Sequence, residues 1–244
     1  MSNYQQKYFQ AVTPEMLDKY LSDGWYRIQQ KVITTDFIDE VDKSQTVFWL
    51  RYDLNRLEEN KKIKKIKRQA ENFTVNINPF EITEEIEILF QEYRSAIDFD
   101  TCETVTDFLL EDGVTNVFNT SMIEIRQDNL LIAAGYFDTG KETVCGILHF
   151  YHPEYKKFSL GKYLAILAID NAKLENRKYY YPGYMSPQNK KFDYKLSFCK
   201  DATELFDRST GQWLPYLYVD LHQLQNKLIT QTTESPISFQ DQSQ

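Results

Sequence analysis

The sequence predicts an α/β protein with a mixed, mostly antiparallel sheet and flanking helices. Three strand-like runs crowd into residues 121–151, a strongly periodic helix follows them, and a further strand-like run comes after that helix. Of the 244 residues, 42% are hydrophobic and 15% aromatic, ample for a packed core and incompatible with wholesale disorder. No apolar run approaches the roughly 20 residues that cross a bilayer. The opening MSNYQQKYFQ has neither the basic start nor the apolar stretch of a signal peptide, so the expectation is a cytoplasmic protein with no membrane partner. With 28 basic against 36 acidic residues, the formal charge of −8 confines any nucleic-acid contact to a local patch. Cys102, Cys145 and Cys199 are far apart and odd in number, and His149, His152 and His222 form no metal-ligand spacing with them. Disulfide scaffolds and zinc ribbons are therefore excluded.

Thr13 before Pro14 predicts a capped helix with Met16, Leu17, Tyr20 and Leu21 on its apolar face and Gly24 as its stop. Strand-like runs at 25–32 and 46–52 flank an acidic stretch, 36–42, that suits a connection. Residues 61–68, Lys-Lys-Ile-Lys-Lys-Ile-Lys-Arg, hold six of the 28 basic side chains. Ile63 and Ile66 would anchor a narrow helical face and leave the cations on the remainder. A solvated face is the plain reading, but in an acidic chain such a cluster also answers to a polyanion. A strand is expected at 73–77, then a helix from residue 82 whose apolar positions are Ile86, Leu89, Phe90 and Tyr93. Glu84, Glu85 and Glu87 in its first turns are favoured by the helix dipole. A short helix at 105–110 precedes strands at 121–126, 130–137 and 144–151, joined at Asp128-Asn129 and Thr139-Gly140 as a meander. Ser159 is the expected cap of a helix running to residue 174, and the strand at 178–181 is expected to break at Pro182-Gly183. The division expected is 1–78 as an N-terminal α/β segment, 79–225 as the main unit, and 226–244 as a mobile tail of low complexity.

Antiparallel strands, a strand ending in proline, a glycine-bearing turn into a helix, and another strand form the order required by a GNAT-type acyltransferase. There the amides at the helix start receive a phosphate of the acyl donor, and two splayed strands admit the amine. The acetyl-CoA version carries R/Q-x-x-G-x-G/A at that turn. Here residues 156–162 read Lys-Lys-Phe-Ser-Leu-Gly-Lys, with a single glycine, a poor cradle for coenzyme A.

A run of motifs extends this reading. Glu124-x-Arg126-x-Asp128-x-x-Leu131-Ile132-Ala133-x-Gly135-x-x-Asp138 is followed by Phe150-Tyr151-His152-Pro153, Ser159-Leu160-Gly161-Lys162-Tyr163, Tyr180-Tyr181-Pro182-Gly183-Tyr184 and Phe192-Asp193-Tyr194-Lys195. Their succession resembles the C-terminal region of arginyl-tRNA protein transferases and their bacterial leucyl-transferring relatives. Further upstream, Gly24-Trp25-Tyr26-Arg27 resembles the family's Gly-Trp-Arg-Arg, and Leu50-Arg51 with residues 61–68 resembles its Ile-Arg and basic segment. The resemblance spans roughly residues 20–215. No cysteine precedes Cys102, so the family's N-terminal cysteine pair and any metal role do not carry over; Glu58-Glu59-Asn60 replace the proline and serines of the basic segment.

The resemblance implies a GNAT-like fold whose N-terminal segment is a diverged or partial second copy. It also implies transfer of an amino acid, arginine or leucine, from the 3′ ester of a charged tRNA to the α-amine of acceptor proteins beginning with Asp or Glu, the chemistry of N-degron arginylation. Charged tRNA is the co-substrate, with no further cofactor and no metal. The ester is already activated, so positioning and oxyanion stabilisation dominate. An N-terminal amine, with a pKa of about 7.7–8.0, needs a modest base. Asp138 and Glu124 are candidates for holding it; as alternatives, Asp138 is a turn residue and Glu124 a partner of Arg126. Arg27, Arg51 and Lys195 are candidates for pairing the acceptor's carboxylate or the terminal ribose phosphates, or else form ordinary ion pairs. Tyr184 and Tyr194 could stack on the terminal adenine, worth about 1–3 kcal/mol per base. Gly161 would allow close backbone approach. Lys61, Lys64, Lys65 and Arg68 are the candidate tRNA-backbone contacts. Two other readings stay open: an N-acyltransferase using coenzyme A, and a non-catalytic relative that binds acidic N-termini or tRNA.

Overall fold

A computed structural model describes residues 4–40, 43–111 and 115–234. Strand β1 (Gln5–Tyr8) precedes helix α1 (Pro14–Ser22), where the Thr13 hydroxyl accepts the Met16 N–H at 3.3 Å and Leu17 and Leu21 are buried. β2 (Tyr26–Ile28) and β3 (Lys31–Thr34) follow, and the three strands form a small antiparallel sheet in the order β1, β3, β2. The single strand expected at 25–32 is thus a hairpin, because Gln29 adopts a left-handed conformation, φ 54°, that turns the chain. The acidic stretch expected as a connection carries β4 (Phe37–Glu40), paired with β5 (Lys43–Thr46).

The remaining elements are β6 (Phe48–Asp53), α2 (Lys61–Gln69), β7 (Thr74–Pro79), α3 (Glu84–Ser95), α4 (Val105–Leu110), β8 (Thr120–Gln127), β9 (Leu130–Thr139), β10 (Thr143–Tyr151), α5 (Leu160–Leu174), β11 (Tyr179–Met185), β12 (Thr203–Asp207), β13 (Gln212–Pro215) and α6 (Leu221–Glu234). Eight strands make one sheet, ordered β13-β12-β6-β11-β10-β9-β8-β7, and every neighbouring pair is antiparallel except β10 with β11. β6 sits between β12 and β11, and β7 forms one edge, so segments 1–78 and 79–225 share this sheet. α6 occupies 221–234, which includes the first part of the expected tail; residues 235–244 lie outside the described residues.

Alternation along the strands divides the core. Ile123, Ile125, Phe137, Val144 and Tyr180 pack with Ile63 and Ile66 of α2 and Leu164, Ala168 and Ile169 of α5. Met122, Tyr136, Leu148 and Phe150 pack with Ile86, Leu89 and Phe90 of α3 and Leu109 of α4. Each such fully buried side chain contributes about 1.5–3 kcal/mol. Asp18 of α1 ties the β9–β10 turn: its carboxylate accepts the N–H groups of Lys141 and Glu142 at 3.0 and 2.9 Å and the Thr143 hydroxyl at 2.6 Å.

Candidate functional site

β10 and β11 are joined through Thr143↔Tyr179, Val144↔Tyr180 and Cys145↔Tyr181, and then part. Both change register where they part, β10 against β9 between Gly146 and Leu148, and β11 against β6 between Tyr180 and Gly183. A bulge bends the strand that carries it, and Pro182 has no N–H to offer a neighbour. β11 therefore continues through Pro182-Gly183, where the sequence suggested a break, and a fork opens beside it. Tyr26 of β2 closes its base: its hydroxyl donates to the Gly146 carbonyl, and its ring lies 3.5 Å from where a Gly183 β carbon would stand. The same position on Gly146 would be 2.1 Å from the Tyr180 hydroxyl, so a side chain there would collide with the fork's wall.

Lys195 reaches this fork from a 3₁₀ segment, Lys190–Ser197, whose start is capped by Asn189 accepting the Lys191 N–H at 3.0 Å. The residue is 8% exposed. Its carbonyl accepts the Tyr52 hydroxyl at 2.7 Å, and its Nζ donates to the Tyr184 carbonyl at 2.6 Å, 5.2 and 5.1 Å from the ring centres of Tyr184 and Phe192. An ammonium carries three N–H donors, and among the described residues no carboxylate pairs with this one. Burial alone pulls its pKa down to about 7. Tyr184 also meets Trp49 edge-on at 5.6 Å. Tyr194 is 44% exposed, but its hydroxyl end is shielded enough for burial to raise the phenol's pKa.

His149, absent from the sequence candidates, stands on β10 opposite Gly135. Its Cδ2 is 2.9 Å from the position of a Gly135 β carbon, and its Cε1 is 3.6 Å from that of Gly146. Burial, with the Lys195 charge, lowers its pKa to about 4, so the imidazole is neutral at neutral pH. A histidine inside the apolar run 144–150 was the available signal.

The other candidates are placed differently. Asp138 has no exposed surface and forms an ion pair with Arg27 at 2.7 Å, both side chains at 0% exposure. Its Oδ1 also accepts the Thr120 hydroxyl at 2.6 Å, while Arg27 reaches the Leu109 carbonyl and Asn116 and stacks on Phe118 at 4.3 Å. Burial raises the Asp138 pKa, opposed by Arg27 and Thr120. In this packing neither partner can meet a docked substrate; together they brace the sheet behind the fork. Arg51 pairs with Glu204 at 2.7 Å and stacks between Tyr179 and Trp213 at 4.0 and 4.5 Å, which occupies it as well. Glu124 bonds Arg126 at 3.3 Å and Asn78 at 3.4 Å on the α3 face, away from the fork. Ser159 does not cap α5 with its side chain: it is left-handed, φ 56° and ψ 41°, with no such hydrogen bond. Beside it, the nearest atom to a Gly161 β carbon would be in Tyr151 at 3.5 Å, so internal packing does not require this glycine.

α2 is the helix the sequence predicts. Asn60 caps it by accepting the N–H groups of Lys62 and Ile63 at 2.9 and 3.0 Å, and Ile63 and Ile66 are buried. Lys61, Lys64, Lys65 and Arg68 are exposed and form no ion pair among the described residues. Lys67 instead pairs with Glu59 and with Asp170 of α5. The charge of Lys62 adds to burial in lowering the pKa of Lys162, so the basic face adjoins the start of α5.

A bulged antiparallel strand, a helix and a parallel return strand that splays from it make this a GNAT-like unit. Residues 84–204, which contain the fork, match the family described as arginine-tRNA-protein transferase, C terminus. This segment, just under half of the chain, is thus similar to that family's C-terminal region. The chain is 28% identical over 151 residues to an aspartate/glutamate leucyltransferase of Granulibacter bethesdensis, covering 59% of this chain and 54% of that one. It is 33% identical over 98 residues to arginyl-tRNA–protein transferase 1 of Arabidopsis thaliana, covering 38% and 15%. The chain thus spans about half the length of the first of these relatives or less. Among solved structures it is similar to a tandem GNAT protein from the clavulanic acid biosynthesis pathway, with TM-score 0.45, 9% identity and coverage of 80% and 58%. It is also similar to a GCN5-related N-acetyltransferase from Kribbella flavida, with TM-score 0.36, 13% identity and coverage of 68% and 58%. Among the described residues no helix is long and apolar enough to cross a membrane.

Proposed function

We propose that the chain transfers an amino acid from charged tRNA to the α-amine of proteins that begin with Asp or Glu, as a cytoplasmic enzyme acting on N-degrons. The observation that carries this is Lys195, a buried ammonium with spare N–H donors at a fork inside the family-matched segment. A buried cation without a counter-ion is costly, and an acceptor's terminal carboxylate side chain supplies that counter-ion. The neutral amine then attacks the ester carbonyl: a C–N bond forms, the C–O bond to the ribose breaks, and the tRNA leaves with its 3′ hydroxyl. The chemistry needs no cofactor beyond the charged tRNA, because the ester brings its own activation. Lys61, Lys64, Lys65 and Arg68 would hold the tRNA backbone, and Tyr184 and Tyr194 offer ring faces for its terminal base. The single glycine at the start of α5 gives the coenzyme A reading less support.

The test is incubation with a pool of charged tRNAs and peptides beginning with Asp, Glu, Arg or Ala, followed by mass analysis. A gain of one residue confined to the acidic peptides is expected. No gain, with no tRNA binding even at low salt, would refute the reading.

A further inference from the structure

His149 differs from the other two histidines. His152 meets Glu92 at 3.2 Å and His222 meets Asn226 at 3.1 Å, whereas the His149 ring makes no hydrogen bond or ion pair among the described residues. It nevertheless lies against Gly135, which Leu164 of α5 also approaches, and beside the Gly146 bulge, and it retains partial exposure. It stands where the fork opens, close enough to Lys195 to feel its charge, with the Tyr180 hydroxyl nearby across Gly146. Among the described residues at the fork, the imidazole is neutral, unbonded and able both to take and to give a proton.

We propose that His149 is the proton carrier of the transfer: its free ring nitrogen takes a proton from the attacking α-amine and passes it to the ribose 3′ oxygen as the ester bond breaks. This rests on the aminoacyl transfer proposed above. The step balances within the fork, since the proton lost as the C–N bond forms is the one gained by the leaving oxygen, and the imidazole ends neutral. Lys195 supplies the timing. Burial is the main opponent of His149 protonation and the Lys195 charge adds to it; pairing Lys195 with an acceptor carboxylate removes that added opposition. An acidic acceptor would thus ease protonation of the base as well as bind.

Single-turnover transfer to an Asp-initiated peptide, by wild type, His149→Ala and His149→Gln, tests this. Both variants should lose about 100-fold or more in rate with the peptide KM little changed, and added imidazole should restore transfer in His149→Ala but not accelerate wild type. His149→Gln keeps the side chain's bulk, so it reports on proton transfer if the alanine variant unfolds. Wild-type-like rates in His149→Gln, or a slow His149→Ala that is folded yet indifferent to imidazole, would overturn the assignment with the transferase reading intact. Absence of transfer by wild type would overturn both.

Discussion

Lys195→Met should make the protein more stable at neutral pH, because it keeps the length of the stem and removes a buried charge. Burial lowers the lysine's pKa from 10.5 to about 7, which corresponds to about 5 kcal/mol at roughly 1.4 kcal/mol per pH unit. Methionine forfeits the charged hydrogen bond to the Tyr184 carbonyl, worth about 1.5–3 kcal/mol. The net gain is about 2–3 kcal/mol, or about 4–12 °C in Tm for a chain of this size. The sign with pH follows from the folded pKa lying below the unfolded one. The cost is complete below pH 7, shrinks by about 1.4 kcal/mol per pH unit above it, and vanishes near pH 10.5. At pH 9 the advantage of methionine should therefore be gone. Of the other groups near the ammonium, His149 is already neutral at both pH values, and burial keeps the phenols of Tyr180 and Tyr194 protonated. Urea denaturation followed by tryptophan fluorescence at pH 7 and pH 9 measures both points. A variant no more stable than wild type at pH 7, or a gap unchanged between the two pH values, would show that the buried Lys195 charge carries no such cost.

Arg27→Met leaves the Asp138 carboxylate buried without its counter-ion and should destabilise the chain by about 3–5 kcal/mol in urea denaturation; the double change with Asp138→Leu should recover most of this. Gly146→Ala places a methyl 2.1 Å from the Tyr180 hydroxyl and should cost about 1–3 kcal/mol in thermal denaturation, relieved when Tyr180→Phe removes that hydroxyl. Replacing Lys61, Lys64, Lys65 and Arg68 by glutamine should lower the slope of log affinity for tRNA against log salt by about 3, measured by filter binding over a salt series. An unchanged slope would remove α2 from the tRNA interface.

Periodic signals translated directly into structure. Thr13-Pro14, the Ile63 and Ile66 pair, and the meander with its turn at Asp128 all appear as elements close to their expected bounds. The family resemblance located the fork through Gly183, Tyr184 and Lys195. What the sequence concealed depended on distant pairing. Arg27 and Asp138 are 111 residues apart, and their types alone cannot distinguish a sealed ion pair from a substrate site. The same ambiguity hid Arg51, held by Glu204 and two aromatic rings contributed by β11 and β13. β12 and β13 escaped because short strands with mixed polarity carry little periodicity. His149 escaped because its meaning comes from two glycines and a bulge around it, none of which marks a histidine in the chain.

The role of Lys195 is tested by two peptides that differ in one group, an N-terminal Asp and an N-terminal Asn, with arginyl- or leucyl-tRNA as donor and wild-type or Lys195→Met protein. Wild type should extend the Asp peptide far faster than the Asn peptide, and Lys195→Met should abolish the difference by losing the Asp rate. Equal rates for the two peptides with wild type, or an undiminished preference for Asp in Lys195→Met, would contradict that role.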